Sequence, residues 1–238
     1  MSAWAARRFW EAAHVEPLDG GGYGVRLDAR ELRTPSGLAL ILPSRAMAEA
    51  IAQEWNAQEG VIRPLTMPAT RAANAAIEKV APQRRAVAVG LADYGGTDLL
   101  CYRAVAPATL VAEQAALWDP YLDWAADRYG ARLRPTQGVM PVAQDPGALA
   151  RLAAPLLRLD AFQLAAMSDL VSLPGSLILG LAVAEGRATA EDAWTAAQLD
   201  EDWQARQWGH DAEAERAAAA KGAAFVAAAR FYRWSSPD

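Results

Sequence analysis

Few residues of this chain could carry bond chemistry. Catalysis by a nucleophile and a base draws on histidine or cysteine held side by side, and the chain has two histidines, His14 and His210, and one cysteine, Cys101. His14 stands in a strand-like segment, His210 at a helix start and Cys101 in the apolar run Leu99-Leu100-Cys101-Tyr102. Separate elements therefore carry them. They read as surface or cap histidines and a buried core thiol, and the same shortage excludes a His/Cys zinc site. Carboxylates are better supplied, in Asp200-Glu201-Asp202 and in Asp211 with Glu213. Paired carboxylates are the equipment of general acid-base work, although acidic runs are usually solvated helix faces. The cluster Gly20-Gly21-Gly22-Tyr23-Gly24 lacks the Gly-Lys-Ser/Thr of a P-loop and a complete dinucleotide fingerprint, and reads as a hairpin turn. No catalytic residue, metal site or cofactor is expected.

The acidic run becomes more informative on a helical wheel. Over a helix from Ala190 to Trp208, at about 100° per residue, Trp194, Ala197, Ala205 and Trp208 fall on one side, and Ala196, Leu199 and Trp203 roughly opposite. A helix with two apolar faces is either central or partner-binding. Glu201 then points between Trp194 and Trp208, where a buried carboxylate needs a cation, from an arginine of this chain or from a partner. Asp200 projects beside Gln204 and Gln207, as an exposed recognition strip. Asp200, Glu201, Gln204 and Trp208 are the candidate partner-binding residues. Of the nine tryptophans, Trp55, Trp118, Trp124, Trp194, Trp203 and Trp208 lie in predicted helices. Core is the default for each, and a groove for a protein partner is the alternative.

The elements that must position these residues suggest an α+β fold. From Phe9 to Leu42 the pattern favours strands, Tyr23 to Asp28, Glu31 to Thr34 and Leu38 to Leu42, separated by turn residues. They predict a small antiparallel sheet. Ser44 is placed to cap a helix whose Met47, Ile51 and Trp55 form one apolar face closing over that sheet. Thr70 could cap a second helix carrying Ala73, Ile77 and Val80, and Pro82 ends it. The expected division is a β-rich α+β domain over 1–81 and a mainly helical domain over 82–238. The latter has helices over Arg84 to Tyr94, Thr109 to Tyr129, Gly147 to Leu159, Phe162 to Val171, Ser176 to Glu185, Ala190 to Trp208 and Glu213 to Tyr232, with a short strand over Asp98 to Arg103. Pro120 and Pro155 could restart or kink their helices.

Composition narrows the function classes. At 238 residues, 53% hydrophobic and 21% charged, the chain can bury a sizeable core without disulfides or metals. A net charge of -5 with no basic stripe argues against a nucleic-acid partner. The lone cysteine suits a reducing compartment. Met1 to Trp10 lacks the apolar segment of a secretory signal, and Leu177 to Ala184 is far shorter than the roughly 20 residues that span a bilayer. A cytoplasmic protein, or a mature mitochondrial matrix chain, is expected, without membrane insertion.

Taken together, several stretches resemble the ATP12 family: Arg8-Phe9-Trp10, Leu27-Asp28-Ala29-Arg30 with Thr34-Pro35, Ala48 to Trp55 with Gln58, Met67-Pro68-Ala69-Thr70-Arg71-Ala72-Ala73-Asn74 and Thr97 to Arg103. Gln114 with Trp118-Asp119-Pro120, Gly175-Ser176-Leu177, Ala193-Trp194, Asp200 to Gln204 and Trp208-Gly209 continue it over nearly the whole chain. Ala69 stands where a larger apolar residue is expected, and Ala29 where glycine is frequent. The resemblance implies a chaperone, monomeric when free, that binds the unassembled α subunit of F1-ATPase and shields its β-facing surface until the hexamer forms. Within these motifs Trp55, Arg71, Asn74, Trp118 and Asp119 are assigned to supporting the fold. The rival readings are a small-molecule enzyme using the carboxylates near Asp200 and Glu201, and a scaffold for another client.

Overall fold

The computed structural model describes residues 7–138 and 140–236. Its contacts divide the chain into two compact units. The first comprises residues up to Gln83 with Asp160–Ala166 and the segment from Arg230 onward; the second comprises Arg84–Leu159 and Met167–Ala229. The division lies two residues beyond the expected one after 81, and two stretches of the helical half join the sheet-bearing unit.

In the first unit, β1 (Ala13–Pro17), β2 (Tyr23–Leu27) and β3 (Arg30–Glu31) form an antiparallel sheet in that order. The glycine cluster makes the β1–β2 turn, with Gly21 and Gly22 at φ of 88° and 79°. A Cβ at Gly22 would stand 2.8 Å from the Leu42 carbonyl oxygen, so only glycine fits there. The strand expected over Leu38 to Leu42 is reduced to bridges at Ala39 and Leu42, because those residues pair at single points instead of along a ladder. Helix α1 (Arg45–Asn56) is capped by Ser44, whose hydroxyl accepts from the Met47 amide at 3.1 Å. Its Met47 and Ile51 are fully buried against Val25, Leu27, Leu42 and Phe231 in one core.

Helix α2 (Pro68–Ala75) corrects the expected cap. Thr70 lies inside the helix, and the carboxylate of Glu54 on α1 takes the amides of Ala69 and Thr70 at 2.6 and 2.8 Å and the Thr70 hydroxyl at 2.7 Å. A carboxylate at a helix N-terminus satisfies donors that no carbonyl of the helix can reach. Pro82 does not end the helical path either. A π-turn (Ala76–Val80) and a 3-10 turn (Ala81–Gln83) follow α2.

The second unit contains α3 (Arg84–Ala92), a strand β4 (Tyr102–Arg103) pairing in parallel with β5 (Thr136–Gln137), α4 (Ala108–Tyr129) and α5 (Pro146–Leu156). Helix α6 (Ala161–Ser172) starts in the first unit and ends in the second, which continues with α7 (Leu177–Ala184), α8 (Ala190–Ala197) and α9 (Leu199–Trp208). Helix α10 (Ala212–Trp234) runs from the second unit into the first. Of the strand expected over Asp98 to Arg103, only the last two residues are extended, since Asp98 caps a 3-10 turn over Leu99–Cys101. Pro120 neither restarts nor ends α4, which continues through it for 22 residues; a proline inside a helix removes one amide donor. Residues 177–182 of α7 are all buried, as are Gly222, Phe225 and Ala229 of α10. Among the described residues no helix is long and apolar enough to cross a membrane.

Candidate protein-docking site

The helix expected to run unbroken from Ala190 to Trp208 is two helices, α8 and α9. They are separated at Gln198, with φ -94° and ψ 7°. Helix α4 holds both sides of this break. Trp118 is fully buried, and its indole N–H donates to the Ala196 carbonyl at 2.8 Å, one of the last-turn carbonyls of α8 that lack a helical partner. One turn earlier on the same face, Gln114 is 1% exposed. Its Oε1 accepts from the Ala104 amide at 2.8 Å, and its Nε2 donates to Asp200 Oδ1 at 2.7 Å. Arg206 pairs with Glu113 at the other end of α9. Both partners are about half exposed, so this pair adds little.

The break overturns the wheel. Trp194 packs on α10, its ring 5.6 Å from that of Phe225. Glu201 therefore does not lie between Trp194 and Trp208. It is exposed and forms no ion pair among the described residues, so the requirement for a buried cation disappears. Asp200, expected on an exposed strip, is half-buried and occupied by Gln114. Gln204 is exposed, and Trp208 is 76% exposed with its ring 5.8 Å from that of half-buried Trp203. The outer face of α9 thus presents Glu201, Gln204 and Trp208 to solvent, and Asp202 is exposed to one side of it. The three acids of its first turn, Asp200, Glu201 and Asp202, complement the positive end of the helix dipole.

The residues assigned to fold support are placed as follows. Trp118 and Asp119 surround Arg103, whose guanidinium pairs with Asp119 at 2.7 Å, donates from Nε to the Leu100 carbonyl at 2.8 Å and lies 5.3 Å from the Trp118 ring centre. Trp55 is half-buried and meets Trp10 edge to face at 5.1 Å. Arg71 is exposed and Asn74 half-buried. Neither makes a side-chain hydrogen bond or ion pair among the described residues, so no polar contact underlies the support expected of them.

The remaining chemical candidates are dispersed. His14 is exposed on β1, and His210 meets Glu215 at 2.5 Å on the surface. Asp211 caps α10 by accepting from the Glu213 amide at 2.8 Å. Cys101 is 2% exposed, and burial, aided by the charge of Asp98, pushes its thiol up to about 12, leaving it without nucleophilic character at neutral pH. A groove of about 390 Å³ lined by Arg103, Ala104, Val111, Ala115, Pro135, Thr136 and Gln137 includes none of Asp200, Glu201 or Asp202. Gln114, Arg103 and Glu54 were missed as organising residues. A buried polar residue one turn from a buried tryptophan was the available signal for Gln114.

The ATP12 chaperone protein family matches residues 7–126. Atp12 from Paracoccus denitrificans is 54% identical with a TM-score of 0.93, covering 98% of this chain and 100% of that one. An aspartate-to-lysine mutant of P. denitrificans Atp12p is 53% identical with a TM-score of 0.94 over the same shares. A protein from Agrobacterium tumefaciens, proposed to be a chaperone, is 42% identical with a TM-score of 0.92, covering 95% of this chain and 85% of that one.

Proposed function

The chain belongs to the ATP12 chaperone family, and from that premise we propose that it binds the unassembled α subunit of F1-ATPase and covers the apolar surface destined for the neighbouring β subunit. A free subunit of a ring exposes an interface that like subunits can pair with wrongly. A transient cover must bind well enough to prevent this and more weakly than the correct neighbour. Such work uses no bond-making residue, metal or cofactor, and the chain performs it as a monomer in the cytoplasm, or in the matrix if the chain is organellar.

The observation that supports this reading is the outer face of α9, where Trp208 is 76% exposed on the same side as Gln204 and Glu201. Exposed tryptophan is favoured at protein interfaces, and acids around it set the orientation of a partner. Glu201, Gln204 and Trp208 are the contacts, whereas Asp200 acts from behind them. The test is retention of purified F1 α subunit on the immobilised chain, with light scattering of that subunit followed alongside. Retention and suppressed scattering support the proposal; failure of both sinks it.

A further inference from the structure

We propose that Gln114 is a positioning residue for client docking: its buried side-chain amide fixes where α9 starts by joining Asp200 to the backbone after β4. This inference rests on the reading that the outer face of α9 meets the client. Gln114 itself cannot touch that client, being 1% exposed.

The geometry gives its amide a defined polarity. The Ala104 N–H can only donate, so the atom facing it at 2.8 Å must be the acceptor Oε1. The other end is then Nε2, and it meets Asp200 Oδ1 at 2.7 Å as a charge-assisted bond. Flipping the amide would set two donors together on one side and two acceptors on the other. Helix α9 has few alternatives to this anchor. Leu199 is its one buried residue, its N-cap Gln198 makes no side-chain capping bond, and the Arg206–Glu113 pair is open to water. The Trp118 bond reaches α8 only. A helix held by one part-buried polar contact and one buried leucine takes its direction from that contact.

The fixed polarity supplies a test that loss of packing alone would not reproduce. Gln114→Glu keeps an acceptor for Ala104 but sets a second carboxylate against Asp200. Asp200→Asn keeps an acceptor for Gln114 but removes the charge from the bond, so it should loosen α9 less than Gln114→Glu does. In the double variant the asparagine amide donates to the new glutamate, so the bond returns with its direction reversed.

The experiment measures amide hydrogen exchange over 199–208 in the free full-length variants, and capture of purified F1 α subunit by the same proteins. Gln114→Glu should speed exchange in α9 and weaken capture, each by about tenfold or more, and the double variant should restore both to within roughly threefold of wild type. If Gln114→Glu fails to fold, Asp200→Ala takes its place, removing the α9 side while leaving the Ala104 bond. Unchanged α9 exchange in Gln114→Glu, or in Asp200→Ala where that is used, overturns the proposal. So does a double variant no better than Gln114→Glu. Faster exchange with unaltered capture also overturns it. Failure of wild type to capture the subunit contradicts the chaperone reading instead, and the exchange arm still reports on the anchor.

Discussion

Asp98 accepts a 2.7 Å hydrogen bond from the Ser176 hydroxyl, 78 residues away in sequence, and both residues are fully buried. The same carboxylate accepts from the amides of Leu100 at 3.1 Å and Ile178 at 3.0 Å. One side chain thereby caps the 3-10 turn before β4 and, together with Ser176, the N-terminus of α7. Asp98→Ala strands these donors in the interior and should cost about 3 kcal/mol, read as a lower urea midpoint.

The same burial gives stability a pH dependence. Desolvation outweighs the pull of the donors and pushes the Asp98 carboxyl up to about 6, against 3.8 for the free group. Below about pH 4 both folded and unfolded chains hold the proton. Between about pH 4 and 6 the unfolded chain releases it first, so this contribution is full at low pH and lost as pH rises, by about 3 kcal/mol in all. Asp98→Asn removes the titration. The difference between wild type and Asp98→Asn in urea unfolding should therefore shift against wild type from pH 4 to 6 and then level off. A constant difference would contradict the assignment.

Glu54 caps a helix other than its own. Glu54→Ala should destabilise by roughly 1–2 kcal/mol through the lost Ala69, Thr70 and Thr70 hydroxyl bonds, whereas Thr70→Val, losing only the hydroxyl, should cost less. Thermal melts of the two variants rank them, and the reverse order would restore Thr70 as the main cap.

Two helical glycines should respond oppositely to alanine. At Gly180 a Cβ would stand 2.8 Å from Val171 Cγ2 and 3.0 Å from the Leu170 carbonyl oxygen, so Gly180→Ala should destabilise by about 1–3 kcal/mol. At Gly90, exposed on α3, a Cβ meets nothing within 4 Å, and Gly90→Ala should stabilise by about 0.5–1 kcal/mol. Melting temperatures of the pair test this, and a shift of the same sign in both would refute it.

What could be read from sequence was decided within a few residues. The Ser44 cap, the buried face of α1, the glycine turn and the apolar run of α7 depend on local chemistry and periodicity, and the folded chain keeps them. What sequence missed was decided by distant partners. Thr70 has the right type for a cap, but Glu54 from the preceding helix occupies the position. Nothing in the composition around Gln198 announces a break, since neither glycine nor proline stands there. The break comes with Trp118 and Gln114 holding the two helices from α4, and the orientations drawn for Asp200 and Glu201 from a continuous wheel fail with it, whereas Gln204 and Gln207 stay exposed as expected. The acidic run itself was found, and the roles of its members had to be exchanged.

The central claim is that the outer face of α9 takes the F1 α subunit. The most direct measurement is the dissociation constant of purified α subunit for wild type and for Glu201→Lys/Trp208→Ala, with melting temperatures recorded for both. Because these side chains are exposed, the variant should melt within about 2 °C of wild type. The predicted result is binding weakened by about tenfold or more. Equal affinity of the two proteins would contradict the claim.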